Sequence, residues 1–398
     1  MSTRVGVIGA GIAGPLLAML LKQKGYEPVV FERNPAPSEA GIGIGVQPNG
    51  IRVIESVPGL FETIKGRHLD EFHFFSVIPE DTSVLAELQH PKKMREATGR
   101  GTFGIRRSEL QKAMVAHAET LGIEFKWSHK LETLEQAEDS VTVTFANGAQ
   151  ETFSFVVGCD GLHSNTRICL FGEQPADYTG LIQVGGYGPS PAPLKAKGNH
   201  TAMNVFGDGV HMIAVPIDED TMGFAVTMRE PEAKETWRAM DEAGVAEFKK
   251  SAVSEWPYGA GEIVKNGWNV TKYGLYDRPE LKTWHQGRVV LIGDAAHPTS
   301  PHLGQGANQS FEDAGLLVEL LEKYNPTAEA PLTATLQEAF VELEKERIPR
   351  TAELVKRARA QGETRVVHGT EACVKRNNWY REILSNEQLL RQRFGAGN

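Results

Sequence analysis

The chain has 398 residues, too many for one small hydrophobic core, and suggests two to three domains or one large α/β domain with an inserted layer. Its 40% hydrophobic and 23% charged residues are those of a globular protein, and a formal net charge of −9 argues against a general nucleic-acid binder, which needs a basic face. Cys159, Cys169 and Cys373 are too few and too scattered for a disulfide framework or a zinc ribbon, so reduced thiols and no metal are expected.

Met1 to Arg4 run straight into an apolar strand, leaving no room for a targeting segment, and the richest apolar stretch, Pro15–Leu21, is far short of a bilayer span. A cytoplasmic protein without a membrane span is expected. Arg4–Ile8 reads as a strand, Gly9–Gly14 as a glycine-rich turn and Pro15–Lys24 as a buried helix closed by Gly25. Glu27–Glu32 is the next strand, which completes a βαβ unit. Glycine and proline dominate Asn34–Gly50, a loop that must approach something closely. Arg107–Leu121 has helical spacing. Ser140–Phe145 and Glu151–Val157 alternate like a hairpin, with Asn147-Gly148 as its turn.

From Ala176 to Arg278 the pattern changes. Short alternating runs (Leu181–Gly186, Val210–Val215, Gly223–Met228) suggest a mixed sheet forming a separate layer. Arg288–Ile292 returns to a buried parallel-type strand, and Phe311–Lys323 and Thr333–Arg359 are long helical patterns. The tail from Gln361 is charged and only weakly periodic.

Gly9-Ala10-Gly11-Ile12-Ala13-Gly14 follows a strand and opens a helix, the setting in which G-x-G-x-x-G binds a dinucleotide. The first glycine makes the tight turn, the second admits a pyrophosphate and the third lets the helix pack on the strand. Glu32 ends the second strand, where an acid takes ribose hydroxyls, and Arg33 is placed to meet an adenosine. This unit does not choose between NAD and FAD. Near the other end, a buried strand runs into Gly293-Asp294-Ala295-Ala296-His297, and Pro301 to Asn308 leads into a helix. A carboxylate there can hold a ribityl hydroxyl, and the turn offers N–H groups to a flavin.

With Val157-Gly158-Cys159-Asp160-Gly161-Leu162-His163-Ser164-Asn165-Thr166-Arg167 between them, these segments resemble the group A flavoprotein monooxygenases, the para-hydroxybenzoate and salicylate hydroxylase kind. The resemblance covers nearly the whole chain and rests on three ordered motifs. It implies an α/β fold: a Rossmann-like, glutathione-reductase-type FAD-binding domain, an inserted mixed β-sheet substrate domain and C-terminal helices. The expected division gives residues 1–75, 100–175 and 280–345 to FAD, 76–99 and 176–279 to the substrate sheet, and 346–398 to a C-terminal helical segment.

Carried over by position, Gly9, Gly11, Gly14, Glu32, Arg33, Gly45, Arg107, Asp160, Asp294, Gly304, Gly306, Ala307 and Asn308 are expected on FAD. Tyr187, His211, Met212, Phe224, Pro301 and His302 are candidates for the substrate pocket, and Tyr187, His211 and His302 are the candidates for a direct catalytic part. His297 after Asp-Ala-Ala is read as structural. Glu346 to Arg350 matches the family's late helix, where Pro349 should kink it.

The implied reaction uses NADH or NADPH as transient reductant and O2, and hydroxylates an aromatic or polycyclic small molecule through a flavin C4a-hydroperoxide. The chemistry is then borne by the flavin, with no committed catalytic side chain. Oxidative inactivation of tetracycline- or polyketide-type compounds, epoxidation, and a redox-neutral flavin role stay open on the same motifs. The Trp-x-Trp-x-Ile-Pro segment of flavin halogenases is missing. Leu181 to Gly188 carries no cation, which points to a substrate without an essential carboxylate. The expected assembly is a monomer or homodimer.

Overall fold

The computed structural model describes residues 3–39, 41–232, 240–386 and Leu389. Its first sheet has six strands, in the order His285–Gln286, Val289–Leu291, Phe155–Gly158, Arg4–Ile8, Glu27–Phe31, Glu124–Lys126. Every neighbour pairs parallel except the short His285–Gln286 edge. The central strands are apolar on both sides because both faces are covered. Val5, Val7, Val30, Val157 and Val290 face the Ala13–Gln23 and Gly306–Tyr324 helices. Their neighbours Val29, Phe31, Val156 and Val289 face an antiparallel sheet of Leu131–Gln136, Val141–Phe145 and Gln150–Phe153.

The Asn147-Gly148 hairpin is present, with Gly148 in the left-handed region. The run expected as one strand from Glu151 to Val157 is two. The Ser154 N–H donates to Arg4 O at 3.0 Å, and Phe155–Gly158 then enters the six-stranded sheet beside Arg4–Ile8. Alternation continues across the break, so sequence alone merges the two.

The second large sheet has seven strands, in the order Trp268–Asp277, Asp177–Pro189, Thr221–Arg229, Val210–Pro216, Thr201–Phe206, Glu71–Ser76, Ser83–Leu88. Thr201–Phe206 and Glu71–Ser76 pair parallel and the remaining pairs are antiparallel. Glu71–Ser76, within the stretch that the sequence reading gave to FAD, is a strand of this sheet. A small sheet of Gly43–Val46, Phe103–Arg106 and Arg67–His68 lies between the two large ones and touches the seven-stranded sheet.

The late helix runs unbroken from Thr333 to Arg365, through Pro349 and past the expected end. The tail that sequence left weakly periodic forms a further helix, Thr370–Ser385. It docks on the seven-stranded sheet: Tyr380 and Leu384 pack on Phe74, Leu85 and Phe206, and Asn377 and Arg381 bond Asp81. The end of the expected 346–398 segment, residues 387, 388 and 390–398, lies outside the described residues. Among the described residues no helix is long and apolar enough to cross a membrane, and no His, Cys, Asp and Glu cluster is placed to hold a metal.

Candidate active site

The glycine turn separates three roles that the motif only lists. A Cβ on Gly9 would stand 2.6 Å from Cys159 O, and one on Gly14 would stand 1.9 Å from Gly9 O. Both glycines therefore serve close backbone packing. A Cβ on Gly11 would meet nothing nearer than Arg107 Nη2 at 3.7 Å, so its bare Cα borders open space. The Ala13–Gln23 helix that follows has no side-chain cap and no acid in its first turn. Its leading N–H groups are left for an outside acceptor, and its dipole favours an anion. A diphosphate fits this cradle.

Glu32 is buried at the end of its strand. Its carboxylate accepts from Ala10 N and from Asn34 N, each at 2.9 Å, so it fixes the turn while keeping lone pairs for a ribose. Arg33 beside it is exposed. Gln111, which sequence did not single out, donates to Ala10 O and accepts from Ser38 N at 3.0 Å, tying the turn to the following loop.

Arg107 opens its helix with its N–H on Ile42 O at 3.1 Å, and its side chain runs beneath Gly41 and beside Gly11. Asp294 lies deep in the same cleft, ringed by protein yet open to solvent. The surrounding protein raises its carboxyl, against the opposing charges of His297 and Arg107. Asp160 is turned inward. One carboxylate oxygen accepts from Thr166 N and Thr166 Oγ1, both at 3.0 Å, and the other accepts from Ser164 Oγ. Those bonds stabilise the start of the Asn165–Phe171 helix and engage the carboxylate that sequence assigned to FAD.

Gly304 sits in the left-handed region at the end of the Pro301–Leu303 turn, and the Gly306–Tyr324 helix starts beyond it, again without an acid or side-chain cap. Gly306 and Ala307 are its partly open first residues. Asn308 is fully buried and bridges the two glycine loops. It donates to Gly45 O at 3.1 Å and Gly304 O at 2.8 Å, and accepts from Gln47 N at 2.8 Å. Its side chain is therefore a clamp, and the cleft-facing groups here are backbone.

Behind Asp294 lies a buried ionic network. Asp313 accepts from Gly293 N at 2.8 Å, pairs with His297 Nε2 at 2.5 Å and receives Arg347 Nε at 2.6 Å. Arg347 also reaches Glu312 at 2.5 Å, which takes Arg350 at 2.8 Å and Asn49 Nδ2 at 2.7 Å. Burial raises the Asp313 carboxyl, but His297 and Arg347 against it carry it far below the ordinary carboxylate range. His297 is thus held by Asp313, beside the turn that carries Asp294.

The two faces of the seven-stranded sheet divide the remaining candidates. Met212 and Phe224 point into a core with Ile263 and Phe248, under the Glu242–Phe248 and Ala260–Lys265 helices, away from the glycine loops. Alternation alone could not say which face met ligand. On the other face, Gly185 and Gly223 lie tight against Ile42 and Gly43. Tyr187 donates its phenol to Gly41 O at 3.0 Å beneath the Arg106 guanidinium, which stands 4.7 Å from the ring. Burial raises that phenol.

Further along the same face, His211 is in register with Thr227, and Thr227 with Gln183. His211 and His302 are both buried, and His302 presses on Gly362 of the late helix, where a Cβ would stand 2.5 Å from its ring. Pro301 before it is exposed. Both ring nitrogens of His302, Nδ1 of His211 and Nε of Arg365 have no hydrogen-bond partner. Burial, and Arg365 nearby, push His302 down to about 3, and His211 falls well below its ordinary value for the same reasons. Both rings are neutral near pH 7.

A family model described as FAD binding domain matches residues 2–358. The chain is 31% identical to 3-amino-4-hydroxybenzoate 2-monooxygenase of Streptomyces cremeus, over 90% of this chain and 87% of that one. It is 27% identical to 6-hydroxynicotinate 3-monooxygenase of Bordetella bronchiseptica, over 80% and 83%. In fold it superimposes on Klebsiella pneumoniae HpxO, solved with FAD and uric acid, with a TM-score of 0.82 at 21% identity, over 99% of this chain and 96% of that one.

Proposed function

Because this chain belongs to the group A FAD-dependent monooxygenases, we propose that it hydroxylates one small, electron-rich aromatic compound held between the Pro301–Gly304 turn and the inner face of the seven-stranded sheet. NADH or NADPH is the transient reductant and O2 the co-substrate. The observation that carries this reading is a continuous arrangement: an anion cradle at Gly11, Arg107 beside it with Asp294 in reach of its charge, and the Gly304 turn with the uncapped helix that follows. The named relatives act on small aromatic rings, an aminohydroxybenzoate and a hydroxynicotinate.

FAD, when bound, supplies the two-electron redox chemistry and the activation of oxygen. The chain's own residues do the rest. The glycine turn and the uncapped Ala13–Gln23 helix would hold the diphosphate, Glu32 the ribose, and Arg107 and Asp294 the linking polyol and phosphate. The uncapped Gly306–Tyr324 helix, with the positive end of its dipole beside the Gly304 turn, would stabilise negative charge on the bound flavin. Asn308 fixes the distance between the Gly45 and Gly304 loops. His302, buried and neutral behind the Gly304 turn, and the apolar side chains of Leu181 and Val366 close that side of the cleft against water.

The test is to purify the protein, record its visible spectrum, and follow NADH and NADPH oxidation and oxygen uptake against a panel of phenols, aromatic acids and heterocycles. Substrate-stimulated oxidation with a product heavier by one oxygen atom is expected. A yellow protein that consumes no oxygen with any ring compound overturns the reading.

A further inference from the structure

We propose that Tyr187 is a positioning residue for FAD: its phenol holds the strap of residues 41–43 down on the stem of Arg107, so that the seven-stranded sheet fixes the guanidinium offered to the diphosphate. This deepens the reading above and rests on its assignment of Arg107 to FAD.

The strap is pinned from two sides. On the FAD side, Arg107 N–H donates to Ile42 O at 3.1 Å. Gly41 has a φ of +112°, and a Cβ there would stand 2.8 Å from Arg107 Cδ. A glycine both takes that conformation and lets the strap rest on the methylene stem of the arginine. At the far end of that stem, Arg107 Nη2 is the atom nearest the open side of Gly11. On the sheet side, a Cβ on Gly185 would stand 2.5 Å from Ile42 Cδ1, and one on Gly223 would stand 3.2 Å from Gly43 N. Gly223 is the register partner of Tyr187. The sheet is thus bare of side chains where the strap lies against it, and Tyr187 reaches from beside that patch to donate to Gly41 O at 3.0 Å.

The phenol is itself held in place. Tyr187 is buried, with the Arg106 guanidinium 4.7 Å from its ring and the Trp268 ring 6.4 Å away on the neighbouring strand. Arg106 pairs with Asp218 at 3.3 Å and is the register partner of Gly43 in the small sheet. Two consecutive arginines therefore divide the work: Arg106 meets the sheet through Tyr187 and Asp218, and Arg107 meets the glycine turn. A ring that only packed between Arg106 and Trp268 would be served equally by phenylalanine. The hydroxyl adds the bond to the Gly41 carbonyl, and a buried hydroxyl that loses its acceptor is costly. The path from sheet to cofactor cleft is then continuous: Tyr187 to Gly41, Gly41 to the Arg107 stem, and the Arg107 head to Gly11.

The experiment titrates FAD into the apoproteins of the parent, Tyr187→Phe, Arg107→Met and the double variant, following flavin fluorescence. Tyr187→Phe should weaken FAD about 2- to 10-fold, the range of one neutral hydrogen bond. Arg107→Met should weaken it about 10- to 100-fold, the range of a charge-assisted bond. The double variant should stay within about two-fold of Arg107→Met, because the phenol acts through the arginine. Tyr187→Phe should also make FAD affinity less sensitive to salt, a change that a merely structural phenol would not produce. Tyr178→Phe is the control: it removes another phenol-to-carbonyl bond of the same strand, to Glu230 O at 2.5 Å, away from the strap, and should leave FAD affinity unchanged. Melting midpoints of the apoproteins separate a lost grip from a lost fold.

Losses that add in the double variant overturn the proposal, as does a Tyr187→Phe protein that binds FAD as tightly as the parent. An equal loss in Tyr178→Phe overturns it too. Unchanged FAD affinity in Arg107→Met removes the Arg107 assignment together with the proposal. Oxygen uptake by the parent tests the monooxygenase reading separately. Uptake with additive losses keeps that reading and sinks the coupling, and coupled losses without any uptake do the reverse.

Discussion

Replacing Gly11 with alanine adds one methyl group at a position where the protein itself has room for it. Gly11 is not in the left-handed region, and the nearest atom to its new Cβ would be Arg107 Nη2 at 3.7 Å. The apoprotein should therefore be as stable as the parent, or about 0.4–1 kcal/mol more stable, because alanine restricts the unfolded chain. The methyl nevertheless stands where a diphosphate must approach the first N–H groups of the Ala13–Gln23 helix. An overlap of that kind costs about 1–3 kcal/mol, so FAD should bind about 5- to 150-fold more weakly. Gly14→Ala is the contrasting case. Its Cβ would stand 1.9 Å from Gly9 O, a backbone atom that cannot step aside, and the helix must leave the strand. That variant should lose about 3 kcal/mol or more as apoprotein. FAD titration by flavin fluorescence and thermal unfolding of the apoproteins measure the two effects separately. A Gly11→Ala protein that binds FAD as tightly as the parent would refute the assignment of that space to the diphosphate.

Arg347→Met strips the shared cation from buried Asp313 and Glu312 and should cost about 3–5 kcal/mol, read from urea unfolding; a loss below about 1 kcal/mol would contradict the network's role. Asn308→Ala leaves Gly45 O, Gly304 O and Gln47 N without their partner and should cost about 1–3 kcal/mol while raising the FAD dissociation constant; unchanged FAD affinity would count against the clamp. His302 gains its proton in the unfolded chain near 6.5 but in the folded chain only at about 3. Unfolding therefore takes up protons below pH 6.5, and stability falls from there toward pH 3 by about 1.4 kcal/mol per pH unit for each such histidine. His302→Gln should flatten that slope by about one proton, as measured from unfolding free energies between pH 6.5 and 4, and an unaltered slope would show that the ring is not buried neutral.

What could be read from sequence was what is local. The Gly9–Gly14 turn, its helix and Glu32 lie within two dozen residues, so strand, turn and acid could be recognised together. The same holds for the Gly293-Asp294 strand end and the Gly304–Asn308 turn. The inserted sheet was visible in its alternation, but the side each residue faces was not, which is why Met212 and Phe224 were grouped with His211 although they lie on the opposite face. Asp160 kept its place in a motif, but its bonds to Thr166 depend on how the following turn closes. The Thr370–Ser385 helix left no clear local mark, because its stretch is charged and weakly periodic and only its docking on the seven-stranded sheet distinguishes it.

The position of Phe155–Gly158 and Val289–Leu291 beside Arg4–Ile8 bears on how the protein is made. The first βαβ unit leaves the ribosome early, yet one edge of its central strand has no neighbour until residue 158 is out, and the Asp294 and Asn308 side of the cofactor cleft follows only after residue 308. At about 5–20 residues per second, the nascent chain exposes an unpaired apolar strand for seconds to tens of seconds. The seven-stranded sheet waits longer still for its cover: the Thr370–Ser385 helix, which packs on Phe74 and Phe206 through Tyr380 and Leu384, emerges well after all seven strands.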